Sequence, residues 1–111
     1  MRFTSSLKTN RDFRRVYRKG ASAVRPCLVV YVRRTNASEN HLGITVTAKV
    51  GKAHTRNLVR RRLREIYRLH EEGIRPGYDL VVVARTRAAT AAYGRLETEF
   101  LSASKELGAA L

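Results

Sequence analysis

The sequence predicts a single α+β domain over residues 1–111, three helices packed on a small set of strands. Three observations predict it. Residues 41–50, "HLGITVTAKV", alternate apolar and polar side chains, the pattern of a half-buried strand. Residues 78–87, "YDLVVVARTR", are almost continuously apolar, the pattern of a buried strand. Between them, residues 54–73, "HTRNLVRRRLREIYRLHEEG", repeat apolar positions at helical spacing while carrying six arginines from Arg56 to Arg68.

Each element follows in turn. "TNRDFRRVYRKG" predicts a first helix, with Thr9 or Asn10 as its cap, Asp12 in its first turn and Gly20 as its stop. Phe13, Val16 and Tyr17 form its apolar stripe at i, i+3, i+4. A short strand is expected near residues 21–25. "CLVVYVRRT" follows as a strand rich in β-branched residues, and "NASEN" is a turn. In the next strand Leu42, Ile44, Val46, Ala48 and Val50 share one side, with Gly43, Thr45, Thr47 and Lys49 on the other. Gly51 opens a loop into the arginine helix, and "RPGYD" turns the chain into the buried strand. The last helix is expected over 91–107, with Thr90 as cap and Tyr93, Leu96, Phe100, Ala103 and Leu107 as its packing face.

The net charge is +14 and the pI about 11.2, with a hydrophobic fraction of 43% that sets the chain apart from a disordered polycation. The charge is segregated. Residues 1–70 hold 18 Lys+Arg against three acids, whereas residues 71–111 hold five against six. Such a balance points to an anionic polymer or surface as partner. Cys27 stands alone within an apolar run, so it reads as a small core residue. The lone cysteine, the absence of an apolar signal core in "MRFTSSLKTN" and the lack of any run of ~20 apolar residues together imply a cytosolic protein.

At about 100° per residue the arginine helix divides into faces. Val59, Leu63, Ile66 and His70 share the packing side, His70 against the sheet, with Tyr67 at its border. Asn57, Arg60, Arg61, Arg64 and Arg68 share the opposite side, Arg56 sits at the start, and Glu65 is placed to pair with Arg61 or Arg62. Like charges at i, i+3 and i+4 cost roughly a few tenths of a kcal/mol per pair, a penalty that phosphates would reverse. The basic helix lies between strands, which disfavours a helix-turn-helix DNA-binding regulator. The aromatics Phe13, Tyr17 and Tyr31, beside Arg14, Arg18 and Arg33, fit either core packing or stacking on unpaired bases. The nine acids are scattered, Glu71 and Glu72 read as a solvated helix end, and His41, His54 and His70 lack ligand spacing. A self-sufficient metallonuclease would need clustered carboxylates. A scaffold of ribosomal RNA would explain charge and size, but not the aromatics.

Residues 43–68, "GITVTAKVGKAHTRNLVRRRLREIYR", resemble the bacterial ribonuclease P protein family. Its strand, loop and helix signature is matched by Gly43-Ile44-Thr45-Val46, by Lys49, Gly51 and Ala53, and by Arg56-Asn57 with Arg60, Arg61, Arg64 and Glu65 in register. "RDFRRVYRKG", "LVVYV" and "DLVVVAR" extend the likeness over nearly the whole chain. Two positions depart from the pattern: Leu58 stands where an arginine is usual, and Ala48 where a lysine is common.

The resemblance implies an α-β-β-β-α-β-α fold with a left-handed β-α-β crossover, like the second domain of ribosomal protein S5. It implies an accessory subunit, one per catalytic RNA, of the ribozyme that removes the 5′ leader from precursor tRNA, with Mg²⁺ bound mainly by RNA. It assigns Arg56, Asn57, Arg60, Arg61, Arg64, Arg68, Lys49 and Lys52 to the catalytic RNA. It assigns Phe13, Tyr17, Tyr31, Arg14, Arg18, Thr45 and Thr47 to a cleft for the single-stranded leader. No residue is assigned to catalysis or metal binding, and no membrane partner is implied.

Overall fold

The computed structural model describes residues 1–111. Its strands are β1 (Thr4–Ser6), β2 (Ala21–Val24), β3 (Leu28–Arg34), β4 (Asn40–Thr45) and β5 (Tyr78–Ala84), and its helices are α1 (Asn10–Lys19), α2 (Ala53–His70) and α3 (Tyr93–Glu106). One sheet runs in the order β1-β4-β5-β3-β2. β4 pairs in parallel with both β1 and β5, while β3 pairs antiparallel with β5 and β2. Helix α2 therefore crosses over between adjacent parallel strands, β4 and β5.

The strand pleat divides the sheet into two faces. Leu28, Val30 and Val32 of β3, Leu42 of β4 and Leu80 and Val82 of β5 enter one core with Val59, Leu63, Ile66 and Tyr67 of α2 and Leu96, Phe100 and Ala103 of α3. Helix α1 lies on the other face, where Val16 and Val81 are fully buried outside that core. Thr9 caps α1 by accepting the Asp12 N–H at 3.1 Å. Burying four large α2 side chains contributes about 1.5–3 kcal/mol each, which outweighs a few tenths per arginine pair. The helix is thus held by its packing face.

Several expectations need correction. Strand β1 lay outside the expected elements because "TSS" has no alternating apolar signal; it is held by Leu7 N–H on Leu42 O and Asn40 N–H on Phe3 O. Strand β4 ends at Thr45, and residues Ala48–Val50 form a 3₁₀ turn. Val46 and Val50 stay buried at helical spacing, while Ala48 turns out to solvent. Helix α3 starts at Tyr93 rather than 91, with Ala92 as cap, because Thr90 closes the preceding turn through its N–H on Arg87 O. His70 meets α3 instead of the sheet, with Nε2 2.8 Å from Glu97 Oε2. Tyr67 is fully in the core, its hydroxyl 2.8 Å from Thr4 Oγ1 and 3.3 Å from Asn40 Nδ2.

Glu71 is not a solvated helix end. It is buried, and it accepts the backbone N–H groups of Arg2 at 2.8 Å and Phe3 at 3.3 Å. Only Glu72 is exposed, 3.4 Å from Arg2. Burial alone would raise the Glu71 carboxyl, but the Thr4 hydroxyl, those two N–H groups and the N-terminal ammonium hold it below the usual value of 4.5. A depressed carboxyl contributes stability above its unfolded value, and loses it as pH falls through the folded one. Glu71→Gln should therefore show a shallower loss of stability than the parent below pH 4.5. Denaturant titrations at descending pH measure this; identical acid limbs for both proteins would contradict it.

Candidate nucleic-acid interface

Two surfaces emerge, one on each side of the sheet. The first belongs to α2 and the turn before it. Gly51 adopts φ 155 and ψ −168, a conformation open essentially to glycine, in the link from the 3₁₀ segment into α2. The α2 cap residue, Lys52, makes no side-chain capping bond, and no acid occupies the first turn. The first-turn N–H groups therefore remain open to an anion, flanked by exposed Lys49 and Lys52. Arg61 and Arg64 are exposed along the helix, and half-buried Arg60 donates to Asn57 Oδ1 at 3.2 Å. Arg56 is half-buried, and its Nε has no partner.

Glu65 pairs with neither Arg61 nor Arg62. It takes both Nε (3.0 Å) and an NH2 nitrogen (2.6 Å) of Arg68, one turn on. Arg62 is drawn off toward α3, donating to Ala91 O at 3.4 Å. The Arg68 guanidinium holds the Glu65 carboxyl below its usual range. Arg68 thus ends the stripe already neutralised, whereas Arg56, Arg60, Arg61 and Arg64 have no acidic partner.

The second surface is a cleft of about 410 Å³ beside α1, lined by Asn10, Phe13, Arg14, Tyr17 and Thr45. Tyr17 spans it. Its hydroxyl lies 3.2 Å from Thr45 Oγ1, and its ring meets Tyr31 edge to face at 4.9 Å between centroids and 78° between planes. Phe13 lies over Gly43, where a Cβ would stand 2.6 Å from the ring's Cζ. Gly43 is thus the seat of the aromatic wall, a role that the sequence signals only as a glycine on the polar side of an alternating strand. Phe13 and Tyr31 are half-buried and Tyr17 is 37% exposed, so the rings pack on the sheet and still present surface.

Arg18 lies away from this cleft, on the outer side of α1 with Arg11, Arg15 and Lys19. Thr47 is exposed beyond the end of β4 and does not line the cleft. Another hollow, of about 230 Å³, is lined by β1 and β4 residues together with Phe13 and Arg64. No three His, Cys, Asp or Glu side chains come together to hold a metal ion. Cys27 is buried, and burial with the nearby Glu99 carboxylate raises its thiol. No helix is long and apolar enough to cross a membrane.

The family model for ribonuclease P matches residues 1–108. The chain belongs to the ribonuclease P protein family. The ribonuclease P protein component of Clostridioides difficile is 45% identical over 91 residues, covering 81% of this chain and 80% of that protein. The component from Alkaliphilus oremlandii is 37% identical over 107 residues, covering 96% and 94%. The solved Staphylococcus aureus RNase P protein superimposes with a TM-score of 0.87 at 30% identity, covering 96% of this chain and 97% of that one. Family membership agrees with the strand, loop and helix signature in residues 43–68, and the solved relative shares the sheet and helices described above.

Gly43→Ala should lower stability by about 1–3 kcal/mol, the usual range for overpacking, because the Phe13 ring has to move. In the Phe13→Ala background, Gly43→Ala should cost much less. Thermal melts of the two single variants and the double variant measure the coupling; strictly additive effects would place Phe13 elsewhere.

Proposed function

We propose that this chain is the protein subunit of ribonuclease P, the ribonucleoprotein endonuclease that removes the 5′ leader of precursor tRNA in the bacterial cytoplasm. Catalysis belongs to the RNA, and Mg²⁺ is held mainly by RNA. Several of this chain's acids and histidines are engaged within the fold: Glu71 and Glu99 on backbone N–H groups, Asp79 on His41 and Arg33, Glu97 on His70. The polypeptide contributes binding, one protein to each catalytic RNA, and this broadens the range of precursors that are cleaved.

A single observation carries the proposal: the chain's two candidate RNA surfaces lie on opposite faces of one sheet and differ in chemistry. On α2 the surface is cationic and open at the helix N-terminus, suited to the phosphates of a folded RNA. Arg56, Asn57, Arg60, Arg61 and Arg64, with Lys49 and Lys52, would contact the catalytic RNA there, with Arg68 as a weaker extension. Beside α1 the surface is aromatic with one arginine, suited to unpaired bases of any sequence. Phe13, Tyr17, Arg14 and Thr45 would hold the leader, with Tyr31 edge-on against Tyr17 beside them and Arg18 and Thr47 outside the cleft proper. A subunit that serves many precursors gains from stacking, since every base offers a π face.

The division predicts separable defects. Arg60→Ala with Arg61→Ala should weaken assembly with the catalytic RNA and reduce the slope of log K against log salt by roughly 0.7–0.9 per lost contact. Tyr17→Ala with Tyr31→Ala should weaken holoenzyme affinity for precursor tRNA by about 1–3 kcal/mol per lost stack, and leave affinity for mature tRNA unchanged. Filter-binding titrations over a range of salt measure both; the same defect from both pairs would show the division to be wrong.

A further inference from the structure

Helix α1 carries a set of cations of which the leader cleft uses only Arg14. Arg11, Arg14, Arg15, Arg18 and Lys19 are all exposed, and together they line one shallow depression of about 390 Å³ with no other residue. None of the five has an acidic partner, whereas Arg2, Arg25, Arg33, Arg68 and Arg95 are all ion-paired. The helix geometry separates this set from the cleft. With Val16 pointing into the sheet, Phe13 and Tyr17 fall on one flank, while Arg11, Arg15 and Lys19 recur every four residues on the other. Arg14 and Arg18 lie along the crest between them. The stripe from Arg11 to Lys19 covers eight residue-to-residue steps, about 12 Å at roughly 1.5 Å each.

We infer that the outer flank of α1 is a second phosphate-binding track. It takes the backbone of the precursor's leader after the strand has left the aromatic cleft and crossed the α1 crest. The inference rests on the leader reading of the cleft given above. Three features select this occupant. The track stands on the same sheet face as the cleft, and opposite the α2 surface that would meet the catalytic RNA. Arg14 lines both the cleft and the outer depression, so the two are adjacent across the α1 crest. The track offers five cations and no aromatic or apolar side chain, so it fits a phosphate chain irrespective of base. The cleft then senses whether a leader is present, and the track senses whether it is long.

The test uses the reconstituted holoenzyme and two precursor tRNAs, one with a leader just long enough to fill the cleft and one with a much longer leader. In the triple variant Arg11→Ala, Arg15→Ala, Lys19→Ala, affinity for the long-leader precursor should fall on the order of tenfold at low salt. Its salt slope should fall by about 2, at roughly 0.7 per single-strand phosphate contact. The short-leader precursor should bind as before, and so should the catalytic RNA alone. Arg11→Lys with Arg15→Lys keeps the charge and should retain parental long-leader affinity. Equal loss on both precursors, no loss on either, weakened binding of the catalytic RNA, or failure of the lysine variant to retain affinity would each overturn the track. Tyr17→Ala with Tyr31→Ala, run alongside, separates the two readings. If that pair leaves both precursors unaffected, the cleft reading itself fails; if it weakens both and the triple variant weakens neither, only the track fails.

Discussion

The structure depends on the division of α2 between an apolar face it buries and a cationic face it cannot neutralise. Val59, Leu63, Ile66 and Tyr67 lock the helix onto the sheet between two parallel strands. Each such burial is worth several times the repulsion within one arginine pair. The backbone that carries the arginines is therefore in place before any partner arrives. An RNA that binds them gives up less of its affinity to ordering that backbone. Glu65 relieves only the last of them, Arg68, and as an exposed pair it contributes little to stability.

The rest of the fold keeps that helix and the opposite cleft in a constant relation. Buried polar groups tie the N-terminal strand to both. Tyr67 of α2 reaches Thr4 of β1 and Asn40 of β4, and Asn40 accepts the Tyr78 N–H of β5 at 2.9 Å. Glu71 holds the backbone just before β1. Each group in this network is hydrogen-bonded, as burial requires. On the far face, Val16 and Val81 anchor α1, and Gly43 provides the space for Phe13. One five-stranded sheet thus presents a cationic surface and an aromatic cleft back to back.

Much of this was legible in the sequence because it depends on periodicity. The alternation in β4, the apolar run of β5 and the helical spacing of Val59, Leu63 and Ile66 each report a face that must be buried. The segregation of charge and the motif in residues 43–68 pointed to the family. What stayed hidden depends on partners remote in the chain. Strand β1 exists because β4 and Glu71 offer hydrogen bonds to it, and three polar residues carry no pattern of their own. Glu71 reads as solvated until its partners, some seventy positions away, are known. Arg18 sits on the same helix as Tyr17, but one residue of rotation, about 100°, carries it out of the cleft. Arg62 and Glu65 chose partners just before α3 and one turn ahead, between options that spacing alone leaves equal.

If the cationic surface is completed by a catalytic RNA and the polypeptide supplies binding alone, cleavage needs both components. Mixing the protein with precursor tRNA at low Mg²⁺, with and without a bacterial ribonuclease P RNA, and mapping the cleaved end tests this. Cleavage at the mature 5′ end is expected only when protein and RNA are both present. Cleavage there by the protein alone would refute it.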